Sequence, residues 1–173
     1  MTNHPVEMFN YHIWATHTIL ERIAELSPAV LSQEVNSSFP TIAHALSHMC
    51  AVDEMWYRVM TGANMGQALQ DCMSFATRVM ADIGTYREML NQLSEQYHAY
   101  LQEQTDLEQR ILVDNPYAGI REVSFSEILL HVANHGTYHR GNISTMLRQQ
   151  GYASTMTDYV FYWYASQPPL PSA

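Results

Sequence analysis

Lysine is absent from this chain of 173 residues, and its eight basic residues are all arginines, against 17 acidic residues. Without lysine the protein cannot form a lysine Schiff base, which excludes the usual pyridoxal phosphate chemistry. The formal net charge of −9 would repel the phosphate backbone of nucleic acids. We therefore expect no nucleic-acid partner.

Cysteine is scarce as well, since the chain has only Cys50 and Cys72, and their spacing fits neither a disulfide framework nor a zinc-binding motif. Apolar runs such as residues 128–130 fall far short of the roughly 20 residues that span a bilayer. The first residues carry neither a basic region nor an apolar signal core. We expect two reduced core thiols, no membrane partner and a cytoplasmic location.

The apolar residues that are present recur with the period of amphipathic α-helices. This pattern predicts a first helix that ends near Ser27–Pro28, a second that ends at Thr61–Gly62, and one long helix from Ser74 to about Thr105. It then predicts a fourth helix from Ser124 to Gln150 and a short fifth helix at Asp158–Ala165.

Turn-forming residues dominate the segment 107–123, which predicts an irregular crossover with a small hairpin between the third and fourth helices. The sequence Ser124-Phe-Ser-Glu127 matches a capping box at the start of the fourth helix. Gly151 stands where a residue with left-handed backbone would end that helix.

Four long helices joined by mostly short connections predict an all-α fold, an antiparallel four-helix bundle with a short fifth C-terminal helix. The length fits a single domain over residues 1–173. Within it, the proline-rich residues 166–173 are predicted to form an irregular tail.

Three histidines, His131, His135 and His139, recur at every fourth position of the fourth predicted helix. Side chains at positions i and i+4 are neighbours on one helical face and can bind the same ion. The apolar stripe of the helix passes through positions 135 and 139, so these two imidazoles are predicted to point into the bundle. His131 lies to one side of that line and is the weaker candidate.

Two histidines leave a metal ion under-coordinated, so we expect a further ligand from another helix. His48 lies on the apolar face of the second predicted helix and is the third predicted ligand. His44 is predicted to lie at the rim, where proton transfer, substrate contact and ordinary exposure all fit the pattern. Three protein ligands leave positions for water or substrate, which favours a catalytic site over a structural one.

The remaining candidates near this site are weaker. Tyr138 and Arg140 flank the last histidine but project from other helical faces, so both are weak candidates for contact with substrate. Gly141 inside a helix predicts the close approach of a neighbouring helix. Glu95 and His98 match one Glu-x-x-His element of di-iron bundles, but no second copy is visible, which favours a solvated helix face.

These features resemble the sequence pattern of the DinB/YfiT-like superfamily of metal-binding four-helix bundles. The first helix carries the aromatic-rich segment 11–15, and the second carries Ala-Leu-Ser-His at 45–48 with Trp56 eight residues later. The most diagnostic segment, 135–142, reads His-Gly-Thr-Tyr-His-Arg-Gly-Asn. The family usually has glutamine where this chain has Asn142.

The resemblance covers nearly the whole chain and implies an up-down-down-up bundle, often dimeric, that binds a divalent metal through His48, His135 and His139. Zinc or nickel is the metal it favours, with manganese or iron as alternatives. Relatives include transferases and isomerases that use the metal to activate a low-molecular-weight thiol. It therefore implies a small-molecule substrate, a thiol cofactor and a homodimer.

Three functions are compatible with these residues. The first is a metal-dependent enzyme in which the ion presents a thiol or water for transfer or hydrolysis. The second is a non-catalytic metal-binding or stress-associated bundle, which would use His44 or His131 as a fourth ligand. The third is a dimerisation module built on the aromatic residues of the short C-terminal helix, for which no metal is expected.

Overall fold

Helices make up most of the chain in a computed structural model that describes residues 4–166. The helices are α1 (His4–Ala24), α2 (Ile42–Met60), α3 (Met65–Ala76), α4 (Ile83–Gln102), α5 (Phe125–Gln149) and α6 (Tyr159–Ser166). The strands are β1 (Arg110–Asn115) and β2 (Gly119–Ser124), and one turn of 3-10 helix, Pro28–Leu31, follows α1.

The long helices pack around a shared apolar core. Helix α1 packs against α5 and α4, and α2 packs against α3, α5 and α4. Ile19, Ile42, Tyr86 and Ile143, one from each of α1, α2, α4 and α5, are all fully buried in one cluster. The prediction of a mostly helical protein is confirmed, whereas the up-down-down-up order of a four-helix bundle stays a prediction.

Helix α5, which carries three of the histidines, begins and ends at the predicted signals. The Ser124 hydroxyl accepts from the Glu127 amide at 3.2 Å, and the Glu127 carboxylate accepts from the Ser124 amide at 2.9 Å. At the other end, Gly151 has a φ of +86°, a left-handed conformation that glycine adopts without the steric cost of a Cβ. Both predicted boundaries are confirmed.

The predicted single helix from Ser74 to about Thr105 is wrong. The structure has two helices, α3 and α4, separated by the non-helical residues 77–82, and residues 65–73 of α3 lie in a segment for which no helix was predicted. The Asp82 carboxylate accepts from the amide and the hydroxyl of Thr85 at 2.9 and 2.8 Å. This cap places Asp82 in extended backbone, with φ −137° and ψ 154°, which interrupts the helix.

The predicted hairpin is confirmed, because β1 and β2 pair in antiparallel register from Arg110 opposite Ser124 to Asn115 opposite Gly119. The short C-terminal helix is also present as α6, which lies against α1. The predicted irregular tail lies outside the described residues, except that Ser166 ends α6. The assignment of residues 1–173 to one domain stays a prediction.

Among the described residues, no helix has both the length and the apolar character needed to cross a membrane.

Replacing Ser124 by alanine should lower the free energy of unfolding by about 1 kcal/mol, because the α5 capping box loses its hydroxyl acceptor. Urea denaturation measures this loss. The matched control is Ser126→Ala in the same turn, since the Ser126 hydroxyl makes no hydrogen bond to a described residue. Equal losses in the two variants would contradict the capping role.

Candidate metal centre

Three histidines from two helices meet at one point. The Nε2 atom of His135 lies 3.3 Å from Nε2 of His48 and 2.9 Å from Nε2 of His139. One ring nitrogen from each histidine lies within 4.8 Å of the other two. His139 is buried, and His48 and His135 are partly buried. The packing of α2 against α5 thus brings together the three predicted metal ligands.

Aromatic rings border this cluster. The ring of Phe39, which precedes α2, lies 5.2 Å from the His48 ring and 5.4 Å from the His139 ring. Tyr138, which is 64% exposed, lies 5.0 Å from the His139 ring. Phe39 therefore covers the cluster from one side, while Tyr138 stands at its solvent side.

The environment keeps the three imidazoles uncharged. Burial lowers the pKa of all three, and the neighbouring histidines lower it further for His135, to about 3, and for His139, to about 4. At neutral pH each ring therefore offers the uncharged form that binds metal ions. The clustering of three such rings disfavours their protonation and favours the binding of a metal cation.

The spacing of the nitrogens suits a transition metal. Metal–nitrogen bonds of about 2.0–2.1 Å place two ligand nitrogens about 3.3 Å apart in a tetrahedral site and about 2.9 Å apart in an octahedral one. The separation of His48 from His135, 3.3 Å, and that of His135 from His139, 2.9 Å, are of this size, and the third pair lies within 4.8 Å. An all-imidazole set also suits zinc, nickel, copper or iron better than magnesium or calcium.

A histidine that binds a metal through Nε2 carries its proton on Nδ1, where an acceptor orients the ring. The side-chain amide of Asn142 lies 3.4 Å from Nδ1 of His139, and turning the amide presents its oxygen to that proton. The shorter asparagine therefore still reaches a predicted ligand. Nδ1 of His135 is buried and has no hydrogen-bond partner among the described residues.

The two other candidate histidines lie outside the cluster. His131 is exposed, with its ring 6.0 Å from the His135 ring and 5.0 Å from the Trp56 ring. Nδ1 of His44 lies 2.7 Å from the hydroxyl of Thr41, the residue that caps α2. Among the described residues, neither histidine supplies a fourth ligand in this arrangement.

Arg140 lies in the interior rather than at the site. It is 1% exposed, and its Nη1 donates to Nδ1 of His12 at 3.0 Å. Because a guanidinium can only donate, Nδ1 of His12 accepts, and the ring proton sits on Nε2, 2.9 Å from Oδ2 of Asp53. This chain of hydrogen bonds ties α5 to α1 and α2. The predicted contact of Arg140 with substrate is not supported by its position.

Gly136, which lies between two of the clustered histidines, makes room for this chain. A Cβ at position 136 would lie 2.1 Å from Nδ1 of His12 and 2.8 Å from Nη1 of Arg140. Gly141, by contrast, has no heavy atom within 4 Å of such a Cβ, so the predicted close approach at Gly141 is wrong. The sequence analysis did not identify His12, Asp53 and Gly136 as members of this hydrogen-bonded arrangement. The one available signal was that His12 and Asp53 are polar residues on apolar helical faces.

A family model described as the DinB family matches residues 1–170 of the chain. The protein DinB of Bacillus subtilis (strain 168) is 38% identical over 168 residues, which cover 96% of this chain and 98% of that protein. The similarity therefore extends over nearly the full length of both proteins.

Two solved structures share the fold. A DinB-like protein from Bacillus cereus has a TM-score of 0.66 at 19% identity, over 88% of this chain and 94% of the other. The mycothiol-dependent maleylpyruvate isomerase has a TM-score of 0.53 at 15% identity, over 84% of this chain and 67% of the other. At these identities the comparison establishes a shared fold.

Replacing Gly136 by alanine should destabilise the protein by about 2 kcal/mol or more, because the new methyl group displaces His12 from between α1 and α5. Gly141→Ala on the same helix is the control and should stabilise the protein by about 0.5–1 kcal/mol. Thermal or urea unfolding of both variants tests the pair. A neutral Gly136→Ala variant would contradict the close packing.

The metal-free protein should lose stability as the pH falls below about 6.5. In the unfolded chain His135 and His139 titrate near 6.5, whereas in the folded protein their pKa values are about 3 and about 4. Between these limits the unfolded state binds protons that the native state does not. The free energy of unfolding therefore decreases as the pH is lowered.

Urea denaturation in the presence of EDTA, from about pH 7 to about pH 4.5, measures this dependence. The control is the double variant His135→Gln, His139→Gln, which lacks both titrating rings and should show a shallower slope. A wild-type slope no steeper than that of the double variant would contradict the depressed pKa values.

Proposed function

The chain belongs to the DinB family, and from this premise we propose that it is a metal-dependent enzyme acting on a small molecule. In this proposal His48, His135 and His139 hold a divalent metal that activates a low-molecular-weight thiol, or water, for transfer or hydrolysis. The observation that carries the proposal is the convergence of three uncharged imidazoles from α2 and α5.

A bound divalent metal would act as a Lewis acid and lower the pKa of a thiol or water molecule. Zinc and nickel are the metals we propose, because imidazole suits both, and manganese and iron are the alternatives. Phe39 covers one side of the ligand rings and limits the access of water there. With its amide oxygen turned toward Nδ1 of His139, Asn142 would hold the ring in the orientation that points its Nε2 at the other two histidines.

The thiol has to come from outside the protein. Burial raises the pKa of the Cys50 thiol to about 12 and also raises the pKa of Cys72. Both thiols are therefore protonated, and poor nucleophiles, at neutral pH. The mycothiol dependence of one structural relative supports a low-molecular-weight thiol in this role.

An open site is favoured over a structural one. Among the described residues, no fourth histidine, cysteine or carboxylate joins the three ligands. Structural zinc sites are normally closed by four protein ligands, so three ligands favour catalysis over an ion that only stiffens the bundle. A homodimer, with the exposed aromatic residues of α6 as one possible contact surface, stays a prediction.

A hollow lined by His131, one helical turn before His135, is the place that we propose for the substrate. It has a volume of about 290 Å³ and lies between the hairpin and α5, with Trp56, Val113 and Ile128 among its apolar walls. His131 lines the same hollow, and its ring is 6.0 Å from that of His135. We propose that the body of the substrate packs on Trp56 and that its reacting group extends past His131 toward His135.

Cobalt substitution tests thiol activation directly. The cobalt-loaded protein should develop a thiolate-to-metal charge-transfer absorption when cysteine is added, because a thiol that binds an open metal site is deprotonated there. The thioether S-methylcysteine, which has no ionisable thiol, should cause no such band. The same titration on His44→Ala should match the wild type, since His44 lies outside the cluster.

A cobalt-loaded protein whose spectrum does not respond to cysteine would contradict thiol activation. Retention of stoichiometric cobalt by a His48→Ala, His139→Ala variant would contradict the ligand assignment.

A further inference from the structure

One face of the hairpin brings an arginine to the hollow between the hairpin and α5. Val113 lies opposite Arg121 in the pairing of β1 with β2, so the two side chains share a face of the hairpin. Val113 is 4% exposed, and it lines the hollow together with Arg121. Asp114 and Glu122, the acidic residues of the two strands, alternate to the opposite face and are exposed. The hairpin therefore contributes a cation to the wall of the hollow and no carboxylate.

Two contacts fix the place of the Arg121 guanidinium. Its Nη2 donates to Oε1 of Glu127 at 2.5 Å, and Oε2 of Glu127 accepts from the Ser124 amide at 2.9 Å. Glu127 also lines the hollow. The guanidinium thus lies beside the first turn of α5, and its Nε and Nη1 make no hydrogen bond to a described residue. Most of its five N–H donors are left for a ligand.

The charges around Glu127 sum to a net positive charge. Arg121 and Arg110 both contact its carboxylate, at 2.5 and 3.6 Å. The hydrogen bond from the Ser124 amide and the two arginines lower the pKa of this carboxyl, so it is ionised at neutral pH. Both guanidinium groups keep their charge. One negative charge is thus shared by two positive ones, which favours an anion at this wall although the whole chain is acidic.

The pairing of Arg121 with Glu127 does not exclude a ligand. The side chains are 70% and 37% exposed, and ion pairs in such positions contribute little to stability. A ligand carboxylate can therefore join or replace Glu127 at the guanidinium at small cost. The planar fork of arginine also suits a carboxylate, which can accept two parallel hydrogen bonds.

Asn115 supplies a second donor to the same hollow. Its side-chain atom 2.9 Å from the Tyr117 amide is the oxygen, because a backbone N–H can only donate. The side-chain nitrogen of Asn115 is therefore a donor, and it makes no hydrogen bond to a described residue. A guanidinium and an amide nitrogen both donate, so the polar groups that remain free here match an acceptor.

The distance along α5 sets the span of such a ligand. Glu127 and His135 are eight residues apart on this helix, which corresponds to an axial rise of about 12 Å. His131 lies between them and lines the hollow together with Trp56. A ligand that is held by Arg121 and reaches His135 therefore carries its anionic group and its reacting group at opposite ends, with an apolar body between them.

We propose that the substrate is a small carboxylate and that Arg121 is the residue that selects it. The carboxylate binds the guanidinium of Arg121 beside Asn115, and the apolar body packs on Trp56 and Val113. The position of the reacting end near His135 rests on the proposed function, whereas the carboxylate subsite is independent of the metal.

Three matched probes test the carboxylate subsite on metal-free protein from which the chelator has been removed. Phenylacetate is an anion, phenylacetamide has the same shape without charge, and phenethylamine is a cation at neutral pH. The indole N–H signal of Trp56, assigned by its absence from a Trp56→Phe variant, reports binding in the hollow by NMR. Phenylacetate should shift this signal and bind at least about fivefold more tightly than phenylacetamide, and phenethylamine should not shift it.

Three substitutions assign the preference to Arg121. Arg121→Gln should remove the preference for phenylacetate, and because Arg121 is exposed this variant should fold as the wild type does by circular dichroism. Arg148→Gln removes the same charge from an exposed position in the last turn of α5 and should change the affinity by less than about twofold. Glu127→Gln keeps a side-chain oxygen for the Ser124 amide and should tighten the binding of phenylacetate, because Arg121 loses its competing carboxylate.

The proposal is overturned if none of the probes shifts the Trp56 signal, or if phenylacetamide or phenethylamine binds as tightly as phenylacetate, which would indicate an apolar hollow only. It is also overturned if Arg121→Gln binds phenylacetate as the wild type does. An equal loss in Arg148→Gln would overturn it too, because net charge alone would then explain the preference. Since these titrations need no metal, their failure leaves thiol activation standing, and a failed cobalt experiment leaves the carboxylate subsite standing.

Discussion

A buried chain of hydrogen bonds from Arg140 through His12 to Asp53 holds the centre of this protein together. A guanidinium and a carboxylate at the two ends are joined by one imidazole, and all three side chains are almost completely buried. Buried charges are tolerated only when they are paired and hydrogen-bonded, so removing one partner would leave another uncompensated. This chain of hydrogen bonds therefore fixes α5 against α1 and α2.

The candidate metal centre depends on that arrangement. Gly136 lets His12 reach the backbone of α5 at a point between His135 and His139, and Arg140 directly follows the second of these. The position of α5 relative to α2 in turn decides whether His48 meets the two histidines of α5. A bound metal ion and the buried chain of hydrogen bonds would thus both stabilise the packing of α5 against its neighbouring helices.

The helices were predictable where local signals and periodicity agree, as at the capping box of α5 and at Gly151. They were not predictable across residues 77–82, because the apolar period continues through a break that Asp82 imposes with two hydrogen bonds to Thr85. The three clustered histidines could be selected from spacing and from their place on apolar stripes. The roles of His12 and Gly136 could not be predicted, because they depend on how α1 lies against α5. Gly136 and Gly141 look alike in the sequence and differ only in the atoms that surround them in the fold.

The central claim is that the three histidines hold a transition metal, and the metal content of untagged protein tests it most directly. Mass spectrometry should find about one transition metal per chain, as expected for a single three-histidine site. A His48→Ala, His135→Ala variant should lose the metal, and a His44→Ala, His131→Ala variant should keep it. Wild-type protein without metal, even after reconstitution with zinc, nickel or manganese, would contradict the account.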